Sequence, residues 1–526
     1  MIKNQQRGLV GLAVLSALAC TQAWAGTEPI YFGDGYKLDW RLNTTYALSV
    51  RTKNPDALLV GPDNSGGDDG DRAFKRGDLT ANRVSALFES TISKGDSGFV
   101  FSGSTFYDAV YHHRNAVTGL VNHPGPVNEY TDAARRYHGG YSRVLDAYAY
   151  TSFDLGSSSR ATLRVGRHAV NWGESLFFPN IAMAQGPFDG TKTGVPGTET
   201  KDSILAEDQI SGSIAVTPRW SLLGQVQFNF HPTLATAPGT FMSTSDGVGP
   251  GGICLESWDP GTNQCGFGLR QGDIKPGNTG QWGIGTRYRV TDDTEVGLYY
   301  LNYHDRTPLP VINFGDETYR IRYFDNVKLL GSTVSTTFGP VSAYGEFTYR
   351  RGAPVVVGDY GTPTRSNIGQ LNLGAFYNIG RTSFADSVLF LGEVSAVKIG
   401  KIQSRAPIAP AGYEAYFPSS DSPTFRTKSG LAFTGTLVLD YLSIAEGWDL
   451  SVPLSYSHQL RGHTLLGGVG GQGDRRYSVG LSFVKNDNLT FDITYVGNIG
   501  KASLDPRYER LETDRDQLSV SVKYDF

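Results

Sequence analysis

The sequence has 526 residues and a formal net charge of −4, with 65 Gly, 28 Tyr and 27 Phe but only 3 Met and 3 Cys. This composition excludes a basic nucleic-acid-binding surface, and its turn-forming and aromatic residues favour strands over helices. No apolar run reaches the roughly eighteen residues that a membrane-spanning helix needs, whereas strands that alternate between lipid and water keep a near-neutral hydropathy.

The first residues are typical of a secretory signal peptide. A positively charged start precedes the apolar run at 9–19, and Ala23-Trp24-Ala25 is a suitable cleavage site before Gly26. We therefore expect residues 1–25 to be removed and residues 26–526 to form one domain.

Polar and apolar residues alternate without a break from Tyr36 to Arg51, which predicts a long first strand. Pairs of strands joined by short polar turns follow at 82–93 with 98–110, 142–153 with 160–168, 208–217 with 220–230, 281–290 with 294–304, 326–336 with 341–350, 369–379 with 386–398, 430–441 with 448–458, and 475–484 with 489–498. A last strand is predicted from Leu518 to Phe526. The total is about eighteen strands, with about sixteen as the alternative.

Short turns alternate with longer loops in this series. The pattern predicts an all-β protein that forms a single transmembrane antiparallel β-barrel, with short periplasmic turns and long extracellular loops. The alternative is a soluble all-β array. The last strand, which is apolar on one face and ends on Phe526, resembles the terminal strand of Gram-negative outer-membrane barrels. The resemblance implies an integral outer-membrane protein, with membrane lipid and, through Phe526, the barrel-insertion machinery as partners.

If the apolar phase of each strand faces lipid, the other phase lines the interior. Charged residues such as Arg164, Glu346 and Glu393 would then point inward, as expected for a hydrated lumen. Leucines such as Leu389 and Leu391 would point inward as well. They either pack under loops that fold into the barrel or line a partly apolar passage, and the sequence leaves both interpretations open.

The loop at about 169–207 is too apolar to be left in water. Its candidate residues are Trp172, Glu174, Leu176, Phe177 and Phe178. We expect this loop to fold inward as a plug or constriction on the substrate path, with a cap or an oligomer contact as the alternative.

Two further features of the loops are a pair of cysteines and a cluster of aspartates. Cys254 and Cys265 lie close together in a Gly/Pro-rich segment, which predicts a disulfide in an oxidising compartment. Asp68, Asp69 and Asp71 could hold Ca²⁺, but the spacing of an EF-hand is absent, so a solvated turn cluster is the favoured interpretation. We expect no other metal and no cofactor.

Several motifs resemble one known family when they are taken together. They are Gly70-Asp-Arg with Lys75-Arg-Gly-Asp78, Phe106-Tyr-Asp-Ala-Val-Tyr111, Leu145-Asp-Ala-Tyr148, Gly166-Arg-His with Trp172-Gly-Glu-Ser-Leu-Phe177, Gly280-Gln-Trp-Gly283, and Asn302-Tyr-His-Asp-Arg-Thr-Pro308. The family is a proteobacterial, pseudomonad-type group of outer-membrane β-barrels known only as a domain of unknown function. The resemblance implies a periplasmic partner and an inner-membrane transporter of the resistance-nodulation-division type that handles hydrophobic cargo.

These observations predict an outer-membrane channel or transporter for hydrophobic or amphipathic small molecules or lipids. The alternative is a substrate-specific aqueous porin for small polar solutes, and a structural barrel or adhesin is less favoured. His304 with Asp305, and His168 with Glu174, are candidate rim pairs, but none has a serine in a recognisable nucleophile context. We therefore expect no enzyme activity.

Overall fold

The computed structural model describes residues 28–156, 158–404 and 424–526, so the predicted signal peptide lies outside the described residues. Twenty strands share one sheet, and two of these, Ile30–Phe32 and Leu269–Arg270, are short additions. The other eighteen are β1 Tyr36–Arg51, β2 Leu79–Lys94, β3 Ser97–Asp108, β4 Gly140–Asp154, β5 Arg160–His168, β6 Glu207–Thr217, β7 Trp220–Gln227, β8 Gln281–Arg289, β9 Thr294–Asn313, β10 Thr318–Phe338, β11 Val341–Val357, β12 Thr362–Asn378, β13 Ser387–Ser404, β14 Ser429–Ala445, β15 Trp448–Arg461, β16 Arg475–Lys485, β17 Leu489–Ile499 and β18 Gln517–Asp525.

These eighteen strands form a closed antiparallel barrel. Each strand pairs with the next along the chain, and β18 pairs with β1 in a register that runs from Arg51 opposite Gln517 to Asn43 opposite Asp525. Closure leaves none of these eighteen strands as an edge of the barrel. The prediction of an all-β barrel is confirmed, with eighteen strands and not sixteen.

The two phases of each strand face different surroundings, as the alternation predicts. On β1, Thr45 and Ser49 are buried inside the barrel, whereas Tyr46 and Leu48 of the other phase are only partly covered. On β11, Glu346 and Thr348 are buried while Phe347 is exposed on the outer wall. The apolar phase therefore faces outward, where lipid would cover it.

The connections at one end of the barrel are mostly short turns, and we call the other end the outer end. Its first four loops, named L1 to L4, are residues 52–78, 109–139, 169–206 and 228–280. Short helices occur within these loops: α1 Asp69–Arg72, α2 Asp132–Ala134 and α3 Thr200–Ser203, the 3₁₀ helices Pro62–Asn64, Ala109–His112, Ile181–Ala184 and Gly190–Lys192, and the π-helix Arg135–Gly139. L4 also contains a small hairpin of Trp258–Asp259 with Gln264–Cys265. Among the described residues, no helix is long and apolar enough to cross a membrane.

Four strands extend so far beyond their predicted outer ends that the predicted alternation of loop lengths fails there. β9 and β10 continue to a tight connection at 314–317, and β11 and β12 to another at 358–361, where long loops were expected. The extension is stabilised because Tyr319, Ile321 and Tyr323 on β10 pack against Phe230 of L4. The apolar alternation in these stretches thus belongs to strands that project beyond the rest of the barrel.

L1, L2 and L4 share an apolar core at the outer end. Phe74 of L1 lies 6.4 Å from Tyr111 of L2 and 5.4 Å from Phe241 of L4, measured between ring centroids. Arg51, at the end of β1, is fully buried and forms ion pairs of 3.0 Å with Asp71 and 2.9 Å with Asp514. These contacts attach the outer loops to the barrel wall.

A disulfide joins Cys254 and Cys265 within L4. Both cysteines lie outside the barrel wall, so we expect the bond to order L4 and not the strands. In the chain-entropy model, closing a loop of this size stabilises the folded state by roughly 3 kcal/mol.

We predict that replacing both cysteines by serine leaves the barrel intact but loosens L4. Circular dichroism and heat-modifiable gel migration in detergent should match those of the wild type, while limited proteolysis should cleave L4 faster. Two free thiols in wild-type protein purified without reductant would contradict the bond, and a loss of heat-modifiable migration in the variant would contradict its confinement to L4.

Candidate functional site

L3 lies inside the barrel because buried carboxylates of the wall bind its backbone. Glu346 on β11 is 0% exposed and accepts hydrogen bonds from the backbone N–H groups of Glu174, Ser175 and Ile181 at 2.6, 3.0 and 2.6 Å. Hydrogen bonds to a charged acceptor contribute about 1.5–3 kcal/mol each. Glu346 therefore satisfies backbone groups that water would otherwise have to solvate.

Glu393 on β13 holds the next residues of L3 in the same way. Its Oε2 accepts from the N–H groups of Leu176 and Phe177 at 2.8 and 2.7 Å, and from the hydroxyl of Tyr344 at 2.8 Å. Glu393 is 1% exposed. The two glutamates together fix the path of L3 from 174 to 181 across β11 to β13.

Polar side chains of the same wall complete this attachment. Arg350 donates to the carbonyl oxygen and to Oδ1 of Asn180 at 2.9 and 2.8 Å. Asn372 donates to the carbonyl oxygen of Phe178 at 2.6 Å. Since buried backbone carbonyls need partners, these donors make the inward position of L3 compatible with burial.

An apolar cluster forms beside the polar contacts. Trp172 and Ile181 of L3 are buried against inward residues of the wall, which include Tyr299, Leu301, Val327 and Leu329. The wall makes room for them with glycines, because an added Cβ would lie 3.0 Å from Trp172 at Gly283 and 3.0 Å from Ile181 at Gly331. Each buried side chain of this size contributes roughly 1.5–3 kcal/mol.

The second half of L3 binds the opposite wall. Lys201 contacts Glu89 on β2 at 2.5 Å and Asp146 on β4 at 2.9 Å, and Glu199 contacts Lys523 on β18 at 3.1 Å. In a ring of eighteen strands, β2 lies nine strands from β11, which carries Glu346. L3 is therefore anchored on two opposite walls and crosses the lumen between them.

The structure places the predicted plug residues in different environments. Trp172 and Phe178 are buried, whereas Leu176 is 48% exposed and Phe177 is half-buried. Glu174 is also half-buried. Leu176 and Phe177 are thus apolar side chains that L3 leaves accessible beside the Glu393 attachment.

The predicted wall residues are brought together only in part. Leu389 and Leu391 lie on the same inward phase of β13 as Glu393, on the side of the short turns, and are half-buried. Arg164 on β5 lies apart from them, exposed, with its guanidinium 5.9 Å from the ring of Tyr148. Glu346 and Glu393 are used to hold L3, which the sequence analysis did not foresee.

Sequence reasoning also missed Asn180, Arg350 and Asn372. For Arg350 and Asn372, the only signal in the sequence is that they lie on the inward phase of their strands, and Asn372 is opposite Glu346 in the sheet. The phase shows that these side chains face the interior, but it does not show that they bind L3.

The aspartates of L1, which the sequence predicted to form a solvated turn cluster, are buried in the structure. Asp68 and Asp69 are buried and meet Asp246 of L4, with one carboxylate oxygen of each within 4.8 Å of the others. Asp71 is not part of this group, because it is paired with Arg51 and Arg515. Burial raises the pKa of Asp68 to about 7, and burial beside two carboxylates raises the pKa of Asp246 well above its usual range. The interpretation as a solvated turn cluster is therefore wrong.

A histidine–serine pair lies in the wall near L3. His168 Nε2 is 2.6 Å from Ser211 Oγ, and both residues are buried. His168 Nδ1 faces the carbonyl oxygen of Gly166 at 3.0 Å, where a catalytic triad would have a carboxylate. His304 is likewise buried in β9, with Nε2 3.0 Å from the carbonyl oxygen of Thr279. These contacts are structural hydrogen bonds within and beside the wall.

Comparison with solved structures gives barrels of low similarity. They include OccAB3 of Acinetobacter baumannii (TM-score 0.45, 10% identity, 93% of this chain and 99% of that chain covered). OccK8 (OprE) of Pseudomonas aeruginosa gives a TM-score of 0.44 at 10% identity, with 94% and 99% covered. The outer membrane channel DcaP of Acinetobacter baumannii gives 0.38 at 9% identity, with 94% and 99% covered. At these values the likeness carries no functional argument.

No curated protein matches the chain. One family model, described as "Protein of unknown function (DUF1302)", matches residues 6–526. This match confirms that the motifs point to a family catalogued as a domain of unknown function. Because the match extends over nearly the whole chain, the protein belongs to the family DUF1302.

Proposed function

We propose that the protein is an outer-membrane channel in which L3 restricts passage, and that its cargo is a hydrophobic or amphipathic small molecule or lipid. The observation that carries this proposal is the position of Leu176 and Phe177. Their backbone N–H groups are bound to the inward Glu393, while Leu176 keeps 48% of its surface exposed. Apolar surface held inside a barrel gains free energy when an apolar molecule covers it.

The outer wall supports a membrane location. Large apolar side chains are exposed around the whole barrel, among them Phe88, Leu163, Ile210, Leu222, Ile284, Leu298, Leu330, Phe347, Leu371, Leu373, Val394, Leu481 and Leu518. An apolar belt of this size on a closed barrel is stable when lipid covers it. We propose as well that the signal peptide at 1–25 is removed and that the barrel-insertion machinery recognises Phe526.

The wall next to L3 extends the apolar surface. Leu391 and Leu389 follow Glu393 on the same face of β13, in the direction of the short turns, which would be the periplasmic end. Residues two apart on one face of a strand are about 7 Å apart. A hydrophobic molecule that contacts Phe177 would therefore find further apolar surface toward the periplasm.

The opposite wall is ionic, which favours an amphipathic cargo over a purely apolar one. Lys201 bridges Glu89 and Asp146, and Lys523 bridges Glu199 and Asp525. The lumen thus has accessible apolar side chains of L3 and β13 on one side and ion pairs at β18 to β4 on the other. An exposed cation such as Arg164, on β5, is available to a polar head group.

The same ionic wall supports the second candidate, an aqueous porin for small polar solutes. A polar solute would bind at the charged side and would gain no free energy from contact with Phe177 or Leu391.

We further propose, from the family resemblance alone, a periplasmic partner and an inner-membrane transporter that exchange the cargo with this barrel.

We predict that Phe177→Asp reduces flux of an apolar compound by roughly tenfold, since about 1.4 kcal/mol of lost apolar contact changes an affinity tenfold. The measurement compares fatty acids with small sugars and amino acids in liposomes that contain the purified protein. Phe188→Asp is the matched control, because Phe188 is an exposed phenylalanine of L3 that lies beyond the Glu393 attachment. Fast sugar flux through the wild type, with fatty acids neither bound nor moved, would support the porin instead.

We also predict that the double substitution Glu346→Gln and Glu393→Gln raises single-channel conductance severalfold in planar bilayers. The neutral amides bind the N–H groups of L3 more weakly, so L3 leaves its inward position more often. Asp492→Asn is the control, because Asp492 is an inward carboxylate on β17 that accepts from the hydroxyl of Ser521 on the neighbouring β18, at 3.1 Å. Unchanged conductance in a correctly folded double variant would show that L3 does not restrict the channel.

A further inference from the structure

We propose that Asp68, Asp69 and Asp246 form a calcium-binding site that links L1 to L4 at the outer end of the barrel. Asp68 and Asp69 are neighbours in L1 and Asp246 comes from L4, far along the chain, yet one oxygen of each lies within 4.8 Å of the others. Two oxygens on opposite sides of a calcium ion, each bound at 2.3–2.6 Å, are about 5 Å apart. The spacing is therefore compatible with a shared ion.

The charge of the cluster calls for a divalent cation. The three carboxylates are 5%, 2% and 1% exposed, in chain order. In the described part of the chain, one cation contacts them: Arg72 lies 3.1 Å from Asp68 Oδ2 and 2.6 Å from Asp69 Oδ1. If all three carboxylates are ionised, they and the one guanidinium sum to a charge of −2, which is costly to bury without compensation. One Ca²⁺ neutralises this charge.

Two oxygens of the cluster have no hydrogen-bond partner. Oδ1 of Asp68 and Oδ1 of Asp246 are buried and unpartnered among the described residues. The other oxygens are used: Asp246 Oδ2 accepts from the N–H of Asp69 at 3.3 Å, and Asp69 Oδ2 accepts from the N–H of Asn122 at 3.1 Å. Buried carboxylate oxygens without donors are rare in folded proteins, and a bound cation explains both.

Calcium suits these ligands better than a transition metal does. The cluster offers only oxygen atoms, which hard cations prefer, and it contains neither histidine nor cysteine. The site lacks the complete ligand set of an EF-hand, so its affinity should lie in the range of extracellular calcium modules, with a Kd of about 10⁻⁴–10⁻³ M.

The position of the site gives it a structural consequence. Asn122 of L2 contacts Asp69 and also donates to the carbonyl oxygens of Ser65 in L1 and Leu255 in L4, at 2.9 and 3.0 Å. L1, L2 and L4 thus converge on the cluster. An ion bound there would hold three outer loops together above the barrel.

The test is isothermal titration calorimetry of CaCl₂ into full-length protein that has been treated with EDTA and kept in detergent. Wild type should bind one Ca²⁺, and Asp246→Asn should bind at least about tenfold more weakly because one anionic ligand is lost. Asp63→Asn is the matched control: Asp63 is an exposed aspartate of L1 outside the cluster, so its variant should bind as the wild type does.

Limited proteolysis provides a second measurement. Ca²⁺ should slow cleavage of L4 in the wild type and in Asp63→Asn, but not in Asp246→Asn or Asp68→Asn. Heat-modifiable migration shows whether each variant retains the barrel, and Asp68→Asn replaces Asp246→Asn if the latter does not fold. A folded wild type that binds no Ca²⁺, or equal affinity in wild type and in a folded cluster variant, would overturn the proposal.

Discussion

The arrangement of the interior depends on two buried carboxylates that bind backbone N–H groups. A loop that enters a barrel brings polar backbone with it, and each unpaired group buried there would cost roughly 1–3 kcal/mol. Glu346 and Glu393 accept five of these N–H groups between residues 174 and 181. The wall carboxylates thus take the place of water as hydrogen-bond acceptors for the backbone of L3. The apolar side chains of L3 can then pack inside the barrel.

This attachment also explains the two-sided character of the lumen. Trp172 and Ile181 are buried because they pack against the wall at its glycines, whereas Leu176 and Phe177 remain accessible. The far half of L3 is held by ion pairs of Lys201 and Glu199 on the opposite wall. A loop anchored at both ends is held in place, since moving it would break contacts on two walls at once.

Much of the architecture could be predicted because its signals are local. The alternation from Tyr36 to Arg51 has the period of a strand, and the turn at Lys94 to Ser97 separates two such stretches. Apolar residues from Trp172 to Ile181 in a loop predict that the loop must bury them. The strand ends at 313, 318, 357 and 362 were not predicted, because the projecting strands are stabilised by packing partners such as Phe230 in another loop.

By itself, the sequence predicted a barrel of about eighteen strands, the outward apolar face of the strands, and the apolar loop that must be buried, since these follow from neighbours in the chain. Only the tertiary structure decided which groups meet inside. Glu346 binds Ile181 across 165 residues, and Asp69 meets Asp246 across 177 residues. A strand pattern shows that a carboxylate points inward, but its partner depends on how distant loops pack in the closed barrel, which no local period encodes.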